Sequence, residues 1–402
     1  MTEAVIVGGG IGGVATALAL AAQGWRVALL EKAPEIAEVG AGLQVSPNGF
    51  KVLEALGVGD AVASKSYEPG EFAFRRGPSG AAVFSAPSKA YFRRTYGAPY
   101  LQIHRADLLE GLTAALRSRA PGAIRVGCEA LDYEIVAGRP RLRLVGGEEL
   151  EPDLLIGADG VRSRIREVML GPERARFTGN VAWRVVVDRA ALGDVEVPSG
   201  PCVWAGPGRH AVTYPLRSGE IVNFVGVVER SDWRVESWSE RAPAALARVD
   251  FRGWPPLIER ILAQTQDLHR WALFDRAPSP RWTDGPAALL GDACHPMLPT
   301  LAQGACQALE DAWALARWVG AAKEGREDLA TALRRYEAER KPRVTRIQRS
   351  ARGMARLFHL REPWSTIAHA PLRLAGRAAP EALLGRNGWI YAHDATALKA
   401  PS

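Results

Sequence analysis

Cysteine is scarce in this sequence. Its four residues, Cys128, Cys202, Cys294 and Cys306, lie too far apart for a CxxC pair or any zinc spacing. That excludes a disulfide framework and leaves no metal site to expect; the thiols suit a reducing cytoplasm. Long apolar runs are missing too, so no stretch approaches the length of a membrane span. Residues 1–24 superficially resemble a signal peptide, but the basic leader is lacking. Glu3 is the only charge before Arg26, and glycines break the apolar run. The expectation is a soluble, cytoplasmic chain with no membrane span. Nucleic-acid signatures are equally lacking. A formal charge of +7 would suit an anionic partner, yet lysines and arginines are spread along the chain and no zinc finger or RNP motif occurs. One dense basic stretch stands out: Arg340, Arg343, Arg346, Arg349, Arg352 and Arg356. Its spacing places it on a slowly drifting helical stripe, which reads as a solvated face.

What is present is the composition of a globular protein, with 47% hydrophobic and 24% charged residues in 402. That length holds two domains or one elaborated α/β domain with a large core. Ala4 to Val7 is an apolar strand run, Gly8-Gly9-Gly10-Ile11-Gly12-Gly13 follows, and an alanine- and leucine-rich helix runs to Gln23. Gly24 ends it, and a second strand, Arg26 to Leu30, closes on Glu31. This is a βαβ start with G-x-G-x-x-G at the turn (Gly8, Gly10, Gly13) and an acid about twenty residues on. Gly8 permits the turn, Gly10 lets a pyrophosphate approach the backbone, and Gly13 lets helix pack on strand. Glu31 would accept from ribose hydroxyls. On these residues the dinucleotide is NAD or FAD.

A second glycine-rich loop spans 39–48, and residues 72–100 mix aromatics, glycine and proline in the manner of irregular strands. A helix is predicted from residues 103–107 to about Arg119, and an apolar strand at Asp153 to Ile156 runs into Gly157-Ala158-Asp159-Gly160. Residues 180–275 alternate as strands and carry Trp183, Trp204, Trp233, Trp238, Trp254 and Trp271, which read as the core of a sheet-based second domain. The stretch 289–312 reads as a buried strand broken at Gly291-Asp292, then a proline- and glycine-punctuated loop, then a helix from near Ala305. Such a loop would set backbone N–H groups at a helix N-terminus, where electron-rich ligand atoms are favoured. The chain is then helical to around Phe358.

Three motifs together, the fingerprint with Glu31, the stretch 153–166 with Asp159 and Arg166, and Gly291-Asp292 with His295-Pro296, resemble those of the single-component FAD-dependent aromatic hydroxylases, the group A flavoprotein monooxygenases. Residues 271–276 and 301–305 bring the chain close to the salicylate, 3-hydroxybenzoate and 6-hydroxynicotinate hydroxylases. The resemblance implies an α/β fold of the para-hydroxybenzoate hydroxylase type: a Rossmann-like FAD-binding domain (1–72, 100–178 and 276–350), an inserted β-sheet substrate domain (73–99 and 179–275), and a C-terminal helical segment (351–402).

It also implies the site. Gly8, Gly10, Ile11, Gly12 and Gly13 would hold the FAD pyrophosphate, with Glu31 and Lys32 at the ribose and adenine, and Arg105 pairing with the pyrophosphate. Gln44 and Val45 would lie near the flavin ring. Asp159 would support flavin and visiting nicotinamide nucleotide, Asp292 the ribityl or pyrophosphate region, and Pro299, Gly304 and Ala305 the ring. His210 is the implied base, on the same strand face as Tyr214, and Leu298, Thr300 and Gln303 are implied pocket walls. FAD would be tightly bound, NADH or NADPH and O2 would be co-substrates, the partner would be a small aromatic compound, and the assembly a homodimer. His295 has no third ligand partner and reads as a loop-orienting residue; Cys294 and Cys306 read as packing residues. Halogenation, reduction of an isoprenoid double bond, or a non-catalytic redox-sensing flavoprotein are the competing readings.

Overall fold

The computed structural model describes residues 2–36, 41–173, 175–230 and 240–398; Val39, Gly40, Trp233 and Trp238 lie outside the described residues. The chain opens as its glycine motif requires. The strand Glu3–Val7 pairs in parallel with Arg26–Glu31 on one side and Leu154–Gly157 on the other, with Val5 opposite both Ala28 and Leu155. A six-stranded sheet grows from these, in the order Thr283–Asp284, Ala287–Leu289, Leu154–Gly157, Glu3–Val7, Arg26–Glu31, Ile124–Val126. Its two central strands are apolar and buried over Ala4 to Val7 and Leu154 to Gly157, as strands covered on both faces must be. The helix Ile11–Ala22 packs between Arg105–Arg119 and Gly304–Lys323. Every residue from Val14 to Leu20 is buried, which is why alanine and leucine dominate there.

The second sheet has eight strands, in the order Arg241–Pro243, Asp267–Asp275, Arg176–Asp188, Ile221–Glu229, Arg209–Leu216, Cys202–Gly206, Glu71–Arg76, Ala82–Pro87. All neighbours are antiparallel except the pair Cys202–Gly206 with Glu71–Arg76. Its strands begin at Glu71 and Arg176, ahead of the boundaries expected at 73 and 179. One face buries Trp183, Trp204, Phe224, Phe251 and Trp254; the other meets Phe92, Trp271, Ile347 and Tyr391. The four described tryptophans of this region are core residues, as their alternation suggested.

Two expectations need correction. Irregular strands were expected over 72–100, but Lys89–Tyr96 is a helix, closed by Gly97 at φ 71°. The arginine stripe is a solvated face only in part: Arg346, Arg349 and Arg356 are exposed, but the other three are not. The helix Leu329–Phe358 that carries it buries Arg340 completely, and Arg343 and Arg352 find carboxylates on other elements. Spacing along one helix does not reveal counter-charges that arrive from elsewhere in the chain. The C-terminal helices Trp364–Ala378 and Pro380–Leu384 pack on the edge strand Ala82–Pro87. Among the described residues no helix is long and apolar enough to cross a membrane.

Candidate active site

Between the two sheets lies a cavity of about 690 Å³. At one end it is lined by Gly10, Ile11 and Gly12, where the helix Ile11–Ala22 begins without a side-chain cap. A Cβ on Gly10 would meet nothing within 4 Å, whereas one on Gly13 would stand 1.9 Å from the Gly8 carbonyl oxygen. Gly10 therefore keeps room for a ligand and Gly13 lets helix meet strand, the two jobs the fingerprint assigns them. Gly8 itself sits at φ 112° and does not face the cavity. Glu31 accepts the Gly9 N–H at 2.7 Å and the Ala33 N–H at 2.8 Å, so its carboxylate braces the glycine turn. Neither Glu31 nor the exposed Lys32 lines the cavity.

Arg105 and Asp292 both line it. Asp292 is open to solvent through the cavity but enclosed by protein mass. That burial raises its carboxyl above the ordinary value, against the pull of His295, Arg105 and Arg166. Asp159 does not face the cavity; Ala158 and Gly160 do. Its carboxylate accepts from Ser163 Oγ at 2.5 Å, Arg164 N at 2.7 Å and Ile165 N at 3.2 Å, holding the turn into the helix Arg164–Leu170. From that helix Arg166 Nη1 donates to the Ala293 carbonyl at 3.0 Å, tying this turn to the one carrying Asp292.

The loop 299–305 forms the cavity's middle wall, with Pro299, Thr300, Gln303, Gly304 and Ala305 all lining it. The helix Gly304–Lys323 starts there, again without a side-chain cap, and Gly304 has open space where a Cβ would be. Thr300 and Gln303 have their polar groups committed. Thr300 Oγ1 donates to the Ala351 carbonyl at 2.7 Å. Gln303 Nε2 donates to Ser46 Oγ at 2.9 Å, and its Oε1 accepts from Asn48 and Gln307. Leu298 lies in the core beside Trp271 rather than on the wall, and Met297 lines the cavity instead. Val45 is likewise fully buried in the core, while Gln44 lines the cavity and accepts from Tyr100 Oη at 2.6 Å. His295 orients its loop through Asp311, at 2.5 Å. Cys306 is buried and its thiol is pushed up to about 11 by that burial, so it packs rather than reacts.

At the far end the eight-stranded sheet presents His210, Val212 and Tyr214 on one face, at alternate positions of Arg209–Leu216. Val225 and Val227 continue that face on the neighbouring strand, opposite Val212 and His210. Phe74, Phe84, Met354, Phe358 and Trp389 enclose it. Burial raises the Tyr214 phenol well above its ordinary range, and the nearby Arg184 charge draws it part of the way back. Burial, then the neighbouring His359, lowers His210 far below its ordinary value and keeps the ring neutral.

Two residues of this end were missed from the sequence. Arg184 lines the cavity with its guanidinium 4.5 Å over the Trp271 ring. It stands in an apolar strand on the face opposite the core residue Trp183, and that alternation was the signal available. His359, bonded to His210, follows a helix end and carried no signal.

Residues 1–351 match the model of the FAD binding domain family. The chain belongs to that family. It is 37% identical over 360 residues to the 3-hydroxybenzoate 6-hydroxylase of Klebsiella oxytoca, covering 89% of each. It is 36% identical over 347 residues to the 6-hydroxynicotinate 3-monooxygenase of Bordetella bronchiseptica, covering 86% of this chain and 89% of that one. Among solved structures, a salicylate hydroxylase substrate complex superposes with a TM-score of 0.81 at 25% identity, over 98% of this chain and 96% of the other. The expected architecture, an α/β FAD-binding chain of the para-hydroxybenzoate hydroxylase type, stands. FAD is the cofactor of this family member, and the cavity suits it. Two uncapped helix N-termini, the space at Gly10 and the cation Arg105 are what a pyrophosphate and an electron-rich ring require.

Proposed function

We propose that this chain hydroxylates a small phenolic or heteroaromatic acid of the hydroxybenzoate, salicylate or hydroxynicotinate type, with NADH or NADPH and O2 as co-substrates. The observation that carries the reading is the continuity of one cavity, which joins the dinucleotide end to an apolar chamber holding His210, Tyr214 and Arg184. When bound, FAD supplies hydride acceptance and O2 activation. The chain's own residues supply the rest. Gly10, Ile11, Gly12, Arg105 and Asp292 hold the cofactor's polar tail, and the start of the helix at Gly304 favours negative charge on its ring. Arg184 takes the substrate carboxylate. His210 accepts the proton of a ring hydroxyl, which turns the ring into a far better carbon nucleophile, and Tyr214 hydrogen-bonds the same oxygen. The phenylalanine and valine walls exclude water. The neutral, buried state of His210 supports its role as the base.

Four free cysteines suit the cytoplasm, which we take as the compartment, and a homodimer as the assembly. The test is to purify the yellow protein and follow NADH and NADPH oxidation with hydroxybenzoates, aminobenzoates and hydroxypyridines, measuring product and peroxide together. At least one aromatic acid is expected both to accelerate oxidation and to yield a hydroxylated product. If none does, the reading fails in favour of other flavin chemistry or a redox-sensing role.

A further inference from the structure

Behind His210 a second histidine and a carboxylate stand in line. His359 follows the helix Leu329–Phe358 and places its Nε2 2.7 Å from His210 Nδ1. Its own Nδ1 lies 3.0 Å from Glu229 Oε1. The imidazoles are buried, at 3% exposure for His210 and 9% for His359. The Glu229 side chain is 48% exposed, with Arg361 4.0 Å away on its other oxygen. The rings lie 4.9 Å apart, and Phe358 covers His210 at 5.1 Å. The line therefore runs from the cavity wall to bulk water through a wall that is otherwise apolar.

Hydrogen-bond bookkeeping fixes the protons along it. An ionised carboxylate only accepts, so His359 must carry its proton on Nδ1. In the neutral ring Nε2 is then an acceptor, so His210 must donate from its own Nδ1. That leaves His210 Nε2 with a bare lone pair, and no described residue hydrogen-bonds to it. Burial lowers the pKa of both rings, with Glu229 opposing the effect at His359, so two neutral imidazoles in one tautomeric order are the resting arrangement.

Resting on the reading of His210 as the base, we propose that His359 and Glu229 are the positioning residues that set its tautomer and carry the substrate proton to solvent. The ring O–H bond breaks with its electron pair left on oxygen, and the proton goes to His210 Nε2. The Nδ1 proton of His210 passes to His359 Nε2, and the Nδ1 proton of His359 passes to Glu229. The carboxylic acid so formed releases a proton to water. Nothing is oxidised or reduced in this step. Return of a proton along the same line to the product oxygen restores both tautomers. Without the line, a charged imidazolium would be stranded in an apolar wall, which low dielectric disfavours.

The test has two arms on the FAD-loaded enzyme. In the first, long-range 15N–1H correlation of histidine-labelled protein is expected to show two rings protonated on Nδ1. One is lost in His210→Asn and one in His359→Asn, and Glu229→Leu should release His359 from that tautomer. If either ring is instead Nε2-protonated in the wild type, the proposal is overturned. In the second arm, Glu229→Gln keeps an acceptor for His359 but cannot take its proton. Hydroxylation is expected to slow by about tenfold or more, with FAD content and tautomers unchanged and activity partly restored in Glu229→Asp. The probe is 3-hydroxybenzoate, or the panel phenol that gives product in its place. If Glu229→Gln hydroxylates as fast as the wild type while His210→Asn does not, the relay is wrong and the base reading survives. Full hydroxylation in His210→Asn removes the base reading itself. Should no phenol give product, the proposed function falls, and the tautomers still decide the arrangement.

Discussion

Arg340 Nε donates to Asp311 Oδ1 at 2.8 Å, and neither side chain reaches water. Arg340 also bonds Glu310, and Arg343 donates to both Glu310 carboxylate oxygens, at 2.8 and 2.9 Å. Asp311 in turn accepts the Gly291 N–H at 3.1 Å and meets His295. One buried network thus joins the helix that begins at the cavity, the long helix behind it, and the turn carrying Asp292. Removing one partner from such a network leaves the others charged and unsolvated, at a cost of about 3–5 kcal/mol. Arg340→Met is expected to lose that much in denaturant unfolding and to release FAD more readily. A loss under about 1 kcal/mol would show that the acids simply neutralise.

The same carboxylates make stability depend on pH in a defined direction. Burial alone would raise both, but Arg340 and Arg343 hold Glu310, and His295 and Arg340 hold Asp311, below the ordinary carboxylate values. A carboxyl with a depressed folded pKa gives up its proton more readily folded than unfolded. Its stabilisation is present above the unfolded value of about 4 and is lost as pH falls through the folded value. Melting temperature is expected to fall steeply below about pH 4 in the wild type. In Arg340→Met it should start lower and fall less steeply over the same window. Equal slopes would mean that other acids dominate the acid limb.

How much of this was legible follows the range of the interactions. The glycine turn, its flanking strands and Glu31 are local, and the structure puts them together as the spacing implied. His210 and Tyr214 share a face because strand alternation is local too. The arginine stripe misled at Arg340, Arg343 and Arg352 because Glu310 and Asp311 sit on a preceding helix and Asp275 on a strand, beyond any helical window. Glu229 and His359 meet across the chain, and neither stood out alone. Leu298 and Val45 show a finer limit. Register fixes which of two neighbours faces a cavity: Met297 faces it in place of Leu298, and of the expected pair Gln44 and Val45 on the strand Gly42–Val45 only Gln44 does.

His210→Ala removes the proposed base from a strand far from the glycine turn. FAD content is expected to stay at the wild-type level while product formed per nucleotide oxidised collapses and peroxide takes its place. The loss of hydroxylation rate should be on the order of a hundredfold or more, as for a general base. Full coupling in this variant would exclude His210 from the chemistry.

Arg184 separates binding from chemistry. A charge-assisted hydrogen bond to a substrate carboxylate contributes about 1.5–3 kcal/mol, or roughly ten- to hundredfold in KM. Arg184→Met keeps the packing over Trp271 and should raise KM for carboxylate-bearing phenols by that factor. Phenols without a carboxylate should be little affected. If KM rises equally for both classes, Arg184 shapes the chamber and does not read the carboxylate.

Two glycines of one motif should fail in different ways. At Gly10 a Cβ has open space, so Gly10→Ala is expected to fold with a near-normal melting temperature. The added methyl would occupy the ground a pyrophosphate needs, and FAD affinity should fall by about tenfold or more. At Gly13 a Cβ would sit 1.9 Å from the Gly8 carbonyl oxygen, which no rotamer relieves because the obstacle is backbone. Gly13→Ala must push the first helix off its strand, and the cofactor-free protein itself should lose stability, by roughly the 1–3 kcal/mol of an overpacked core. The comparison is made on apoprotein melting and on FAD titration by flavin fluorescence. If Gly10→Ala destabilises the apoprotein as much as Gly13→Ala does, the space at Gly10 is structural and not reserved for the cofactor.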